Sequence, residues 1–427
     1  MSAVQQAPEV TPGEPTGADD GRWRDAFRRA VSGSWAVSVG AIILAVVAGS
    51  IMIAATDEAV RTASGYFFTR PGDTLSAIGS AVGGAYAALF RGAVWDFTAD
   101  TFADAIKPLT NSLFRATPLI SAGLGVAVAF RAGMFNIGGR GQMLAAAAAG
   151  GWVGFAVDLP FPWHMLVALI AGILAGALWG GIAGLLKATT GAHEVIVTIM
   201  LNYVAFYLVS YLLATPGLLQ APGSANPKTP PMKDTSVLPG IFGSKYSLDL
   251  GFVIALVAVA FVWWLLNRSR VGFEFRAIGE NPAAARVAGI HVQRSTVYAM
   301  LVSGGLIGLA GINQVLGAAT TGFSYDIDAG IGFDAITVAL LGRSQPLGVL
   351  GAAILFGAFK AGGSTMQAAE SIPIEIVLVV QSLIVLFIAA PPLVRAVFRL
   401  PQPGQTKKKK PSKPAEPGKA EPVEVTA

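Results

Sequence analysis

Hydrophobic and polar positions along this chain alternate in blocks about as long as a membrane is thick, not with the period of a surface helix. Apolar runs with at most one charged residue each occupy residues 36–54, 112–130, 142–157, 163–186, 194–214, 252–266, 296–316, 346–359 and 374–394. A straight helix needs about 20 such residues to cross the hydrocarbon core, and most of these runs meet or approach that length. In lipid, a single run can satisfy its own backbone only as a helix. The pattern predicts an all-α polytopic membrane protein. Residues 57–107 are mixed and glycine-rich, and read as an extracytoplasmic, partly helical segment at the interface. Residues 215–247, rich in Pro and Gly, read as an external loop.

The block at 267–294, NRSRVGFEFRAIGENPAAARVAGIHVQR, breaks the pattern. Arg268, Arg270, Arg276, Arg286 and Arg294 outweigh Glu274 and Glu280 there. An arginine excess between two spans marks the cytoplasmic side. The block is longer than a connection needs and is expected to be helical in its second half, as if something outside the membrane held it. Arg22, Arg24, Arg28 and Arg29 precede the first span; Arg395, Arg399 and Lys407 to Lys410 follow the last. Both termini are therefore expected inside. The leader imitates a signal peptide, but its acidic start and the length of the run favour an uncleaved span. Even parity after the block requires one more span than the three plain ones, and it must come from GIGFDAITVALLG at 330–342. That stretch is too short for a straight crossing, so a broken or half-length helix is expected, in a total of about ten spans. Paired short, glycine-interrupted segments point to a transporter's binding region, and GMFNIGGRGQ at 133–142 is the candidate counterpart. The alternative is that these glycines only let helices pack closely. Residues 1–30 and 399–427 are expected to be disordered cytoplasmic ends of a membrane domain at 31–398.

Composition sharpens this picture. Of 427 residues, 53% are apolar and 13% charged, about half the charge of a soluble domain. The net charge of +5 comes from basic residues at membrane flanks and in the tail, a topology signal and not a nucleic-acid footprint. There is no cysteine, and His164, His193 and His291 have no metal-site spacing. No GxxxxGK[ST], HExxH or nucleophile–base pairing is present, so no ATPase site, enzyme activity or cofactor is implied. Asp326, Asp328 and Asp334 read as the polar lip of an external loop more readily than as a cation site. Lys360 and Glu375 fall near expected helix ends and can snorkel. Few buried charges then remain for an ion-coupled secondary transporter. The interior polar residues are neutral: Asn136, Gln142, Thr198, Asn202, Tyr203, Asn313 and Gln314. Amides offer donors and acceptors, and Phe135 or Tyr203 could stack on a flat ring, which suits an uncharged polar substrate. The alternative role is bonding helix to helix. Glu194, at the cytoplasmic start of its span, reads as a gate or interface residue.

The stretches MFNIGGRGQMLAAA, HEVIVTIMLNYVA, RAIGENPAAARVAGI and ITVALLGRSQPLGVLGAAILFGAFKAGG, in this order, resemble the nucleoside-type permease subunits of bacterial ABC importers. That group also contains branched-chain amino acid and simple-sugar permeases. The resemblance covers roughly residues 112–395 and implies a bacterial cytoplasmic-membrane location. It implies three partners: an ABC ATPase subunit, a second permease subunit in a heterodimer, and an extracytoplasmic substrate-binding protein. It implies that GENPAAARVAGI is the coupling helix, with Arg276, Gly279, Asn281, Pro282, Ala284, Arg286 and Gly289 serving the ATPase contact. The residues suit that role: the alanines keep a helix slim, and Pro282 fits its first turn. Gly279 and Gly289 read as bracketing breakers, and Arg276 and Arg286 can pair with acidic groups of the partner. The substrate path is expected near Phe135, Asn136, Gln142, Asn202, Tyr203, Asn313 and Gln314. A nucleoside fits the lack of charges for a zwitterionic amino acid; a simple sugar fits the amides almost as well. The chain departs from the family at Arg140, where an acidic residue is usual, and at His193, where an Asn is usual. At the cytoplasmic edge expected for it, Arg140 would alter a salt bridge to a partner subunit.

Overall fold

The structure is a computed structural model that describes residues 34–243 and 245–398; the ends expected to be disordered, 1–30 and 399–427, lie outside the described residues. Every apolar block becomes helix, and a single isolated bridge, Gly240 to Asp249, is the only β pairing among the described residues. By length and composition, seven helices among the described residues can cross a membrane.

Two helices, each buried on all sides over its later turns, form the centre. α5 (Lys107–Arg131) is buried continuously from Ala116 to Ala129, and α12 (Val292–Asn313) is buried from Ser303 to its end, continuing as a π-helical turn over Gln314–Ala318. A helix without a polar face belongs inside a bundle. Around them stand α6 (Gly139–Ala156), α7 (Trp163–Thr190), α8 (Glu194–Ala214) and α9 (Leu250–Arg268). The α7–α12 contact is the most extensive, and glycine makes it possible. A methyl group on Gly304 would stand 2.4 Å from the Gly176 carbonyl oxygen, and one on Gly176 would stand 2.6 Å from that of Gly304. Lipid gives helices no hydrophobic reason to associate, so such backbone-to-backbone packing is what holds them together.

Residues 57–107 contain α2 (Glu58–Ser64), a 23-residue α3 (Pro71–Ala93) and the short α4 (Phe102–Ala105). The second half of α3 packs against α1 (Ser34–Thr56) and α14 (Pro346–Glu370) through Ala85, Ala88, Ile53 and Met366. The Arg-rich block is helical in both halves, as α10 (Arg270–Glu280) and α11 (Pro282–Val287). α13 (Ile331–Leu341) has 11 residues, about 16 Å of helix and half of a crossing. α14 continues to Glu370, beyond the expected end at 359, because its AGGS stretch packs against α3 without leaving helical geometry. Lys360 therefore lies in mid-helix and does not snorkel from an end, while Glu375, in the first turn of α15 (Ile374–Ala389), is exposed as expected. α16 (Pro391–Val397) begins on two prolines after a one-residue break at Ala390.

Candidate functional site: the junction of two broken helices

After α5 the chain turns at Gly133 (φ +71°) and runs non-helically over Met134 to Gly138 before α6 begins. This connector re-enters the bundle. Asn136, fully buried, donates to Ser303 Oγ at 2.8 Å, well inside α12, and to Gln142 Oε1 at 3.1 Å. The first turn of α6 meets the first turn of α13 there: a methyl on Gly139 would lie 2.7 Å from the Gly332 carbonyl oxygen. The two glycine-interrupted segments singled out in the sequence thus abut within the bundle, each presenting the positive end of its dipole.

Irregular backbone away from water needs partners. Asn202 of α8 supplies them twice, accepting from the Gly141 N–H at 2.8 Å and donating to the Ile137 carbonyl at 2.9 Å. Thr198 Oγ1 accepts from the Ile137 N–H at 3.3 Å, and Asn136 Oδ1 from the Gly138 N–H at 2.9 Å. Asn136, Gln142 and Asn202 therefore turn inward and hold the break together. The expected path residues do not form one cluster. Tyr203, next to Asn202 in sequence, points to another side of α8 and is 56% exposed. Asn313 lies on α12 ten positions beyond Ser303, about 15 Å along the axis. It is buried with both amide atoms unpaired, and Gln314 starts the π-helical turn. Phe135 is partly exposed and packs on Phe130 at 4.9 Å between ring centroids.

The charged residues need the larger correction. Arg140 is not at the cytoplasmic edge but in the first turn of α6, at the junction. Its Nε lies 3.2 Å from Asp328 Oδ1 and its Nη2 lies 3.6 Å from Asp326 Oδ1. Its guanidinium also covers the Phe206 ring at 4.8 Å, and Phe206 meets Tyr325 edge-on at 5.3 Å. Asp328 is no loop lip: its side chain is 6% exposed beneath Arg140. Asp334, in the first turn of α13, pairs with Lys360 of α14 at 2.7 Å. The interior thus contains two ion pairs where few charges were expected. Sequence distance hid the first of them: positions 140 and 328 come together only because both broken segments re-enter at one level. The junction also has an open side, where Asp326 is 69% exposed; Phe333, in the first turn of α13, is exposed as well.

At the Arg-rich end, α11 is built as a small projecting knob. Asn281 Oδ1 caps it by accepting from the N–H groups of Ala283 and Ala284 at 3.0 and 3.1 Å. At its other end Gly289 adopts φ +83°, with Ile290 N–H bonded to Ala285 O at 3.0 Å, a left-handed cap that glycine tolerates best. Ala285 is buried; Ala283, Ala284, Arg286 and Val287 are exposed. Gly279 has another role than that of a breaker. It sits in the last helical turn of α10, where a methyl would be 2.3 Å from the Arg131 carbonyl oxygen and 2.9 Å from the Gly133 nitrogen. The Arg276 guanidinium donates through one Nη to the Leu266 carbonyl at the end of α9, which ties α10 to α9 and leaves its other N–H donors. Glu194 pairs with Lys187 at 2.5 Å across the turn from α7 to α8.

The comparisons with known proteins agree with this architecture. A family profile described as the branched-chain amino acid transport system permease component matches residues 109–389, from α5 through α15. The guanosine ABC transporter permease protein NupP of Bacillus subtilis is 38% identical over 78% of this chain and 91% of its own length. The glucose ABC transporter permease protein TsgB13 of Haloferax volcanii is 35% identical over 66% of this chain and 75% of its own. The nucleoside ABC transporter permease protein NupB of Lactococcus lactis is 33% identical over 69% and 83%. No solved structure matches the chain. The matched span takes in both broken helices and the α10–α11 block, and on that basis the chain belongs to the branched-chain amino acid transport system permease component family, as a multi-pass membrane permease subunit.

Proposed function

We propose that this chain is one of two permease subunits of an ATP-driven importer of nucleosides, and that the open side of the α6–α13 junction is its half of the path. The observation that carries the placement is the exposure of Asp326 beside Arg140 at a level where the surrounding helices are apolar. A charged group facing lipid at mid-depth costs about 3 kcal/mol or more. That face is therefore better matched to water and to a second, different permease subunit. Phe333, exposed in the first turn of α13, offers the base of a passing nucleoside flat apolar contact, while Arg140 and Asp326 offer its ribose hydroxyls and the ring edges a donor and an acceptor. Asn136, Gln142 and Asn202 serve as the scaffold behind them.

The Arg-rich end faces the cytoplasm in this reading, and both chain termini lie there. An ATPase subunit holds the α11 knob, and a substrate-binding protein docks at the opposite, loop-rich end. Closure of the ATPase dimer would move α11 and α10 as one body. Gly279 transmits that motion directly, because it touches Gly133 at the foot of the connector leading to Arg140. The inward and outward states need differ by only a few kcal/mol for such rocking to alternate.

The nucleoside assignment is supported by the guanosine and nucleoside permeases among the relatives; the glucose permease supports a sugar as the second reading. Uptake of labelled guanosine, adenosine, ribose, glucose and leucine in a deletion strain, before and after complementation, separates them. Saturable nucleoside uptake that excess glucose does not compete away is expected. Restored glucose or leucine uptake without nucleoside uptake would refute the assignment while leaving the permease role intact.

A further inference from the structure

Beside the α11 knob, between α10 and the start of α12, lies a cleft of about 380 Å³ lined by Arg270, Phe273, Glu274, His291, Arg294 and Tyr298. We infer that it holds the headgroup of an anionic phospholipid. The inference rests on the membrane location of the chain and not on its substrate.

The electrostatics of the cleft favour an anion. Its one carboxylate, Glu274, is already engaged, accepting from Ser295 Oγ at 3.1 Å and from Arg270 Nε at 3.3 Å. The rest of the Arg270 fork, the Arg294 guanidinium and the His291 ring remain as donors around the opening. A fork of N–H donors suits phosphate oxygens. The surroundings favour an amphiphile over a free anion. Phe273 and Tyr298 are 58% and 52% exposed on the cleft walls. Trp263 and Trp264, near the end of α9, are also exposed, giving this level the aromatic belt of a membrane–water boundary. Large exposed rings next to arginines are poorly placed in water. Beside an acyl chain, with the phosphate on the arginines, both are satisfied. Basic pockets between spans at the cytoplasmic face take lipid headgroups for this reason.

The test uses the full-length chain, extracted and exchanged into mixed micelles of phosphatidylglycerol and phosphatidylcholine, with bound lipid counted by native mass spectrometry. The wild-type chain should retain one phosphatidylglycerol that phosphatidylcholine does not replace. Arg270→Ala with Arg294→Ala should weaken that retention about 30-fold. Lys233→Ala, at the opposite end, should leave it unchanged. Should the double variant fold poorly by its melting curve, Arg294→Gln alone should still weaken retention about fivefold. Equal retention by wild type and variants overturns the inference, as does equal binding of phosphatidylcholine. Displacement by millimolar inorganic phosphate would make the cleft a free-anion site and also overturn it. So would displacement on adding the ATPase subunit, which would make the cleft part of that contact. None of these outcomes depends on nucleoside uptake, so the two readings fail separately.

Discussion

Removing the Arg140 guanidinium should expose the energetics of the junction directly. In Arg140→Met the side chain keeps most of its length, but Asp328, with 6% of its side chain exposed, loses the cation 3.2 Å away. At an effective dielectric of about 20, a pair at that distance attracts by about 5 kcal/mol. Breaking a fully buried pair costs roughly 3–5 kcal/mol, because one charge is left uncompensated. Arg140 is 30% exposed, so water softens the loss, and about 2–3 kcal/mol is expected. The lost contact with the Phe206 face adds about 0.5–1 kcal/mol. Asp326→Asn touches the same arginine but at 3.6 Å and with 69% of the aspartate exposed, so it should cost no more than about 0.5 kcal/mol. Asp328→Asn should fall near Arg140→Met, and the double variant should recover part of the loss, with a coupling of about 1–3 kcal/mol. Melting of the purified chain in nanodiscs, read by tryptophan fluorescence at a fixed scan rate, gives the ranking. Equal effects of Asp326→Asn and Asp328→Asn, or strict additivity in the double variant, would refute the burial argument.

Other expectations follow from single contacts. Ala284→Trp, on the exposed face of α11, should leave insertion and melting unchanged yet abolish uptake and substrate-stimulated ATP hydrolysis; normal uptake would remove α11 from the ATPase contact. Gly279→Ala drives a methyl to 2.3 Å from the Arg131 carbonyl, so uptake should fall at least tenfold, with altered amide exchange at residues 131–136. Asn202→Ala strands the Gly141 N–H and the Ile137 carbonyl, at about 2–4 kcal/mol in the same melting assay. At the loop-rich end, Lys107, then Thr101, then Lys245 hold the Asp104 carboxyl well below its usual range. Its ion pairs are therefore complete above the ordinary carboxylate value near 3.8 and are lost only as pH falls further. The melting difference between wild type and Asp104→Asn should not change between pH 5 and 8.

Much of this molecule is legible in its sequence, because the hydrophobic demand of a bilayer is local. Each apolar block had to become a helix, and the start and end of 194–214 match α8 to the residue. The shortness of 330–342 forced a half-length helix, and Pro282 and Gly289 mark the ends of α11 from turn chemistry, whereas Gly279, expected to break the helix before them, lies inside α10. Helix extension was less legible at 346–370, where AGGS resembles a breaker but is held helical by its contact with α3.

The broken segments show where local information stops. Their glycines and amides could be read as an interrupted pair, yet whether Asn136, Gln142 and Asn202 faced a path or each other depended on which helices surround them. Gly133 re-enters the bundle only because α10 presents a side-chain-free surface at Gly279. Arg140 finds Asp328 across 188 positions (328 − 140) only because two helix N-termini share one level. Sequence patterning determined how many residues had to leave water and where the positive ends lay, since both depend on neighbours along the chain. Tertiary packing alone decided which charges were paired in the interior and which side of the junction stayed open, since a buried charge is tolerable only beside a partner from elsewhere in the fold.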